Sequence, residues 1–521
     1  MNTPRTRREF LTAVGQGMLV ASVGAGLAGD LGLNVAYGDD AVEPLSFGPL
    51  EPLVVLMQET PIERLLPTLV ERMGQGTQLE TLLAAAALAN ARTFGGEDYI
   101  GFHTMMALAP AFHMSRELPE ARRPLPVFKV LYRNTNRIHE HGGRKSEVLH
   151  NVNADPIRTD QVGGEALRAA VRARDVDRAE RTFAGLAQKP PADAFNDLLY
   201  AVEDHTEVHR VVLPYRAWDL LALIGPEHAH TLLRQSVRYC VQAESRSTSG
   251  HNDEARELLP KLLDQHHLTA RAPGDRGADD AWVEQMSQTI FTATPAQAAE
   301  AVAAALAEGF APAALGEAIS LAANQLVLRD AGRTALGEAP GKPIGSVHGD
   351  SVGVHACDSA NAWRNMARVG TGRNVFACLI LGGYQVARDR VAGGGDFLHW
   401  DPQPVARHLD RLSATEPDAL LRELDEAIRG NLQARACAVT HRYGQLGHAP
   451  RAIFDLLLAY AISEDGALHA EKYYRTVSEE FAAARPPFRW RQLTALARVT
   501  ASEYGRPAAG CGEARELLKL A

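Results

Sequence analysis

Five histidines of this chain stand inside segments that otherwise have the apolar spacing of helices: His103, His209, His348, His355 and His469. Neutral imidazoles are good ligands for iron, zinc and copper. A buried imidazole without a partner costs on the order of 1–3 kcal/mol, and a shared metal ion removes that cost for every ring that binds it. The sequence therefore predicts that these five side chains converge on one ion.

Two further polar residues are expected close to that ion. His205 and His209 form H-x-x-x-H, a spacing that stacks both rings on one face of a helix. Pro214 is expected to end or kink this helix soon afterwards, which leaves the pair near its C-terminal end. His205 is thus expected either to bind the ion in place of another histidine or to contact a ligand ring without binding the ion. Asp350 is expected to accept the outer N–H of a ligand ring.

A substrate pocket beside such an ion needs apolar walls and a group that recognises oxygen. We expect Tyr215, Trp218 and Trp363 to line an apolar pocket for a flat substrate. Arg364 and Lys472 are suited to bind an anionic oxygen. For each residue a plainer alternative stays open, namely core packing for the aromatic rings and a solvated helix charge for the two cations.

The elements that must position these residues are helices throughout. Apolar residues recur at i, i+3 and i+4 in one segment after another, while no segment shows the period-2 alternation of a strand. No fixed repeat period is present, which favours a closed body over an open solenoid. The sequence predicts an all-α fold, a closed multi-helix body of antiparallel helical hairpins formed as a single domain by residues 41–521.

Composition and motifs exclude several classes of function. The formal net charge is −9, and no basic run follows the N-terminus, which argues against a nucleic-acid partner. The chain has no Walker loop and no G-x-G-x-x-G between a strand and a helix. Its five cysteines form no C-x-x-C pair, so we expect mostly buried thiols.

The N-terminus carries the pattern of an export signal. Paired arginines in TRREFL, residues 6–11, precede a weakly apolar run rich in Gly and Ala. This pattern predicts that residues 1–40 are a twin-arginine signal, read by the translocation machinery and removed later, with a periplasmic destination and no permanent membrane span. The pathway carries folded proteins, often with an inserted cofactor, which strengthens the expectation of a metal.

The order of these motifs resembles the questin oxidase-like family. The match runs in order through FHTMMALAPAF around His103, HTEVH at 205–209, HACDSANAWR at 355–364 and DGALHAEK at 465–472, and it covers roughly residues 78–477. The chain departs from the family pattern at Asp358, where the third motif has threonine. Two extra residues also precede His469.

The resemblance implies a helical enzyme that oxidises or cleaves polyketide anthraquinone rings. In the ring-cleaving members it implies a non-haem iron held by four histidines and a carboxylated lysine. His348, followed closely by Asp350, stands where that lysine is expected. The resemblance therefore implies that histidine replaces the lysine ligand in this chain.

Together these patterns predict an exported, metal-dependent oxidoreductase, an oxygenase that acts on an apolar or aromatic small molecule. Non-haem iron is the expected cofactor, and copper and zinc remain open. Two other classes of function stay open as well. A zinc-dependent hydrolase would need a zinc site with an open position and a nearby carboxylate, whereas a helical scaffold or binding protein would hold no metal.

Overall fold

The fold was analysed in a computed structural model that describes residues 45–157, 162–246, 251–393 and 395–520. The chain is 72% helical, with 23 helices and no β-strand in these ranges. The predicted all-α, closed helical body is confirmed. The proposed signal segment, residues 1–40, lies outside the described residues. None of the described helices combines the length and the apolar character needed to cross a membrane.

The helices are numbered in chain order. The first eight are α1 (Glu51–Glu59), α2 (Ile62–Gly74), α3 (Leu79–Phe94), α4 (Tyr99–Arg116), α5 (Pro124–His141), α6 (Gly163–Arg172), α7 (Val176–Leu186) and α8 (Pro191–Val202). The next eight are α9 (Val208–Ile224), α10 (Ala229–Arg246), α11 (His251–Gln265), α12 (Asp280–Thr292), α13 (Pro295–Ala307), α14 (Pro312–Arg329), α15 (Val352–Val369) and α16 (Arg373–Ala392). The last seven are α17 (Ala406–Leu409), α18 (Pro417–Arg429), α19 (Gln433–Gln445), α20 (Arg451–Ser463), α21 (His469–Ala483), α22 (Pro486–Glu503) and α23 (Cys511–Leu517).

Four of these helices form the centre of the molecule. Helix α4 packs on α9, α9 on α15, α15 on α21, and α21 returns to α4, which closes a ring of four. Each of the four also packs on the helix that follows it in the chain, forming a helical hairpin. The outer helices therefore surround a four-helix core, the kind of setting in which facing side chains build metal and cofactor sites.

The four core helices run in the same direction. His113 lies ten residues after His103 on α4, and Asp219 lies ten residues after His209 on α9. The rings of His103 and His209 are in contact, and His113 Nε2 also lies 3.5 Å from Asp219 Oδ1. Two contacts at equal offsets require parallel helices, so α4 and α9 begin at the same end of the core.

The same argument orients α15 and α21. Thr476, seven residues after the start of α21, donates a hydrogen bond to Asp358 on α15 and accepts one from Arg216, nine residues into α9. Asn361, further along α15, donates to Glu480, further along α21. All four helices therefore point their N-terminal ends toward one region.

The starts of three of these helices, α4, α9 and α15, are set by local capping. Asp98 accepts a hydrogen bond from the Gly101 N–H at the start of α4, and Ser351 accepts one from the Val354 N–H at the start of α15. Glu207 accepts from two N–H groups at the start of α9. These side chains satisfy donors that a helix leaves unpaired, and so they determine which residue comes first in each helix.

The capping of α9 corrects the prediction for the H-x-x-x-H pair. Since α9 begins at Val208, His205 precedes the helix and does not share a helical face with His209. Pro214 lies inside α9, which continues to Ile224. His209 is thus near the N-terminal end of its helix, and the predicted C-terminal position is wrong because the cap at Glu207 starts the helix between the two histidines.

Buried small and aliphatic residues fill the space between the helices. In α3 the run LAAAALANA, residues 83–91, is almost entirely inaccessible to solvent, and its alanines allow neighbouring helices to approach closely. Four cysteines are buried as predicted, namely Cys240, Cys357, Cys378 and Cys437, and Cys511 is partly buried.

Candidate metal centre

Each core helix contributes one histidine to a common layer at its N-terminal end. His469 is the first residue of α21, His209 the second of α9, His355 the fourth of α15 and His103 the fifth of α4. We call these four residues the histidine layer. The ring centroids of His103 and His469 lie 5.2 Å apart, and those of His209 and His355 lie 6.0 Å apart.

Within the histidine layer the rings form two close pairs. The Nε2 atoms of His103 and His209 are 3.3 Å apart, and those of His355 and His469 are 3.2 Å apart. Two nitrogens bound to one tetrahedral ion at about 2.0–2.1 Å stand about 3.3–3.4 Å apart. Both pairs have the spacing of two ligands of one ion.

The remaining ring nitrogens of three members are already engaged. Nδ1 of His103 lies 2.6 Å from the Tyr99 carbonyl oxygen, and Nδ1 of His469 lies 3.1 Å from the Ala467 carbonyl oxygen. Nδ1 of His209 lies 2.6 Å from Glu207 Oε1. All three partners only accept hydrogen bonds, so each Nδ1 carries a proton and donates it. This arrangement directs the Nε2 lone pair of a neutral ring toward the layer.

The first pair consequently needs a positive charge between its members. With Nδ1 protonated on both rings, neutral His103 and His209 present two lone pairs to each other at 3.3 Å. A proton on His209 Nε2 or a metal ion would relieve the repulsion. Among the described residues, no group of three or more His, Cys, Asp or Glu side chains already has a metal-binding arrangement. The layer is therefore two pairs rather than a closed four-ligand site.

The environment keeps three rings of the layer neutral, those of His103, His355 and His469. Burial lowers the pKa of His103 and of His469 well below the usual value for histidine, and the positive charge of Lys472 adds to both shifts. Burial, followed by the charges of His209 and Lys472, lowers the pKa of His355 to about 3. Neutral imidazole is the form that binds metals, so these rings are kept ready to bind at neutral pH.

Glu207 is a functional residue that sequence reasoning missed. Burial acts to raise its pKa, but the charge of His209 and hydrogen bonds from His209 and the Tyr239 hydroxyl outweigh burial and lower it. An ionised Glu207 orients the His209 ring and supplies the negative charge beside the layer. The only signal in the sequence was its position two residues before His209.

Aromatic rings cover the layer on the side of α4. Phe102 stacks on His103 with ring centroids 5.0 Å apart and lies at the same distance from His209. Tyr99 lies 4.5 Å from His103 and 5.8 Å from His209 between ring centroids. Tyr99 is nevertheless 50% exposed, so its ring marks the side from which the layer approaches the protein surface.

His348, His205 and Asp350 lie outside the histidine layer. The buried His348 has no ring contact with the four layer members among the described residues; its Nδ1 lies 4.0 Å from Glu503, and its Nε2 has no hydrogen-bond partner. Burial lowers the pKa of His205 to about 4. The Asp350 carboxylate pairs with Arg333 and Lys342. The ring-orienting role predicted for Asp350 belongs instead to Glu207.

The segment around His348 nevertheless supports the layer through its backbone. A Cβ atom on Gly349 would stand 2.3 Å from the His469 Cβ and 3.0 Å from a Glu503 oxygen. The Gly349 N–H also donates a hydrogen bond to Glu503. Only glycine fits here, because its backbone packs directly against the His469 side chain.

The backbone immediately before His469 is strained. Ala467 and Leu468 both have positive φ angles, 49° and 68°, which residues other than glycine seldom adopt. Asp465 stabilises this turn by accepting a hydrogen bond from the Ala467 N–H. Such strain concentrates at functional sites, and here it places the Ala467 carbonyl against His469 Nδ1.

Of the five residues predicted for a substrate pocket, Lys472 is the one whose charge acts on rings of the layer, those of His103, His355 and His469. Trp363 is fully buried, and its indole N–H donates to Gln385, so Trp363 belongs to the core. Trp218 packs on Phe195, Tyr215 points its hydroxyl at Glu479, and Arg364 pairs with Glu480. Burial lowers the pKa of Lys472 to about 8.

The chain was also compared with known proteins. No protein-family model matches the chain, and neither the curated proteins nor the solved structures contain a match to it.

Proposed function

We propose that this protein is a metal-dependent oxidoreductase in which the histidine layer holds one non-haem metal ion, with iron as the first choice. The observation that carries the proposal is the pair of facing Nε2 atoms of His103 and His209, whose outer nitrogens are both engaged as donors. A cation between them removes the repulsion, and the 3.2 Å pair of His355 and His469 lies beside them.

The donor set decides which metals are suitable. Four neutral imidazoles suit iron, copper and zinc, whereas magnesium and calcium prefer oxygen ligands. Bound iron or copper would supply the redox chemistry of an oxygenase. The protein's own residues orient the rings through Glu207 and two carbonyl oxygens, and Phe102 and Tyr99 pack against the layer.

The resemblance to the questin oxidase-like family supplies the expected substrate, a flat aromatic molecule related to anthraquinones. It is part of the proposal, together with export by the twin-arginine pathway in the folded state. His348 is not included among the proposed ligands, because its contacts are with Glu503 and not with the layer.

Metal analysis tests the proposal. The protein is produced without a histidine tag in medium supplied with iron, copper and zinc, and bound metal is measured by elemental analysis. We expect about one ion of iron or copper per chain, and its loss in His209→Ala and His355→Ala. His399→Ala is the matched control, since that side chain is 80% exposed. Full metal content in both layer variants, or a wild-type chain without metal, would overturn the proposal.

The identity of the bound metal and the turnover of substrate distinguish an oxygenase from a hydrolase. Zinc alone would favour a hydrolase over an oxygenase. With iron or copper bound, we expect oxygen consumption on addition of hydroxylated anthraquinones, measured with an oxygen electrode, and no consumption by His355→Ala.

A further inference from the structure

Lys472 is a buried cation without a close counter-ion. Its side chain is 2% exposed and lies one turn after His469 on α21. Among the described residues, no carboxylate oxygen lies within 4.0 Å of its Nζ. Two carboxylates act on its charge: Asp358, whose Oδ1 accepts a hydrogen bond from Thr476 at 2.8 Å, and Glu471, whose Oε1 lies 2.6 Å from Lys129 Nζ.

A second incompletely paired cation lies deeper in the same core. Arg216 on α9 is 1% exposed and donates from Nη2 to the Thr476 hydroxyl at 3.2 Å. Its Nε and Nη1 atoms have no hydrogen-bond partner among the described residues. The nearest acidic oxygens belong to Asp219 and Glu479, at 3.6 and 3.9 Å. Both distances exceed those of a hydrogen-bonded ion pair.

The surroundings of Lys472 add further positive potential. The N-terminal ends of α4, α9, α15 and α21 meet at the histidine layer, and each such end carries partial positive charge. Among the described residues, Glu207 is the one carboxylate hydrogen-bonded to a layer ring. A divalent ion among the four rings would add two more positive charges. Buried charge is costly unless it is paired. A bound anion would therefore be stabilised in this region.

We propose that Lys472 binds a singly charged oxyanion of the substrate, a carboxylate or phenolate, beside the histidine layer. The side chain lies close enough to the layer for its charge to act on His103, His355 and His469. An aromatic acid or phenol also suits the rings of Phe102 and Tyr99 at the layer. The substrate is thus recognised at two points, by its charge and by its flat surface.

The anion site stands on its own contacts, and only its coupling to metal rests on the proposed function. If both ligands bind, each neutralises part of the other's unfavourable charge environment. Their affinities are then linked, and the anion must strengthen metal binding by the same factor by which metal strengthens anion binding.

Binding of benzoate to the metal-free protein, measured by calorimetry, tests the site. Benzamide is the neutral probe of the same shape. We expect benzoate to bind and benzamide to bind at least on the order of tenfold more weakly. Lys472→Met should abolish the difference, while Lys472→Arg should retain it. Lys189→Met, at an exposed lysine that follows α7 and pairs with Asp197, is the control. Equal binding of the two probes by wild type, or unchanged benzoate binding by Lys472→Met, would overturn the proposal.

A titration with ferrous ion under nitrogen, with and without benzoate, separates this proposal from the metal proposal. We expect benzoate to tighten iron binding in wild type and to have no effect in Lys472→Met. Iron binding without any effect of benzoate would overturn the placement of the anion beside the histidine layer and leave the metal centre. Benzoate binding that depends on Lys472 in a protein that binds no iron would support the anion site and reject the metal centre.

Discussion

The Nε2 atoms of His103 and His209 face each other at 3.3 Å, although neither ring has a proton to place between them when both are neutral. The two residues are 106 positions apart in the chain and begin neighbouring parallel helices. A contact of this kind is unfavourable in an empty neutral site, and it becomes favourable once a cation lies between the rings. The metal proposal explains why the fold maintains it.

Glu207 should control metal affinity through His209. In Glu207→Gln the side chain keeps its length and an accepting oxygen but loses its negative charge, so its hydrogen bond to the His209 Nδ1 proton becomes weaker. We expect metal affinity to fall by about 10–100-fold, as measured by competition with a chelator of known affinity. Glu426→Gln, a change of an exposed glutamate, is the control. Equal affinities for wild type and Glu207→Gln would contradict the role given to this carboxylate.

The metal-free protein should lose stability as the pH falls below about 6.5, the usual pKa of histidine in an unfolded chain. The folded-state pKa of His355 is lowered to about 3 and that of His348 to about 4. Between about pH 6.5 and each of these two values, only the unfolded state takes up the proton. Each such proton reduces the free energy of unfolding by about 1.4 kcal/mol per pH unit. Glu503, whose pKa burial raises to about 7, acts in the opposite direction between about pH 7 and 4.5.

Comparison of two proteins isolates the histidine contribution to that profile. Urea unfolding is measured from pH 7 to pH 4 for the metal-free wild type and for His355→Gln. The variant lacks one ring that resists protonation, so its stability should decline less steeply with falling pH. Parallel profiles would show that His355 takes up its proton equally in the folded and unfolded states.

Gly349→Ala should be destabilising because the new methyl group has no space. It would lie 2.3 Å from the His469 Cβ, and we expect a loss of about 1–3 kcal/mol in the free energy of unfolding, with weaker metal binding. Gly512→Ala is the matched control, since a Cβ there meets nothing within 4 Å and lies inside α23. This control should gain about 0.5–1 kcal/mol. Equal stability of the two variants in urea would refute the close packing at Gly349.

The export proposal depends on the paired arginines at the N-terminus. Replacement of Arg7 and Arg8 by lysine should keep the protein in the cytoplasm while leaving its fold and metal content unchanged, because both residues belong to the proposed signal segment and not to the proposed metal centre. Cell fractionation and immunoblotting measure this. A single replacement of Lys189 by arginine serves as the control and should leave the protein in the periplasm. Unchanged distribution of the double variant would rule out this route.

The sequence by itself determined the local features of this protein. Apolar spacing identified helices in nearly every segment, and it did so because helix periodicity depends on residues only three or four positions apart. The same local reasoning selected the four histidines that the fold brings into contact, since each stands in an apolar helical segment. Their role as metal ligands stays a prediction.

Tertiary structure decided how those histidines meet. The start of α9 at Val208 depends on Glu207, which caps the helix and also binds His209, so the grouping of His205 with His209 failed. His348 packs beside Glu503 on α22, a contact across 155 residues that no local pattern encodes. The missing counter-ion of Lys472 likewise depends on where Thr476 and Lys129 direct the neighbouring carboxylates. Helix periodicity is a local property, whereas pairing of buried charge depends on which helices pack together.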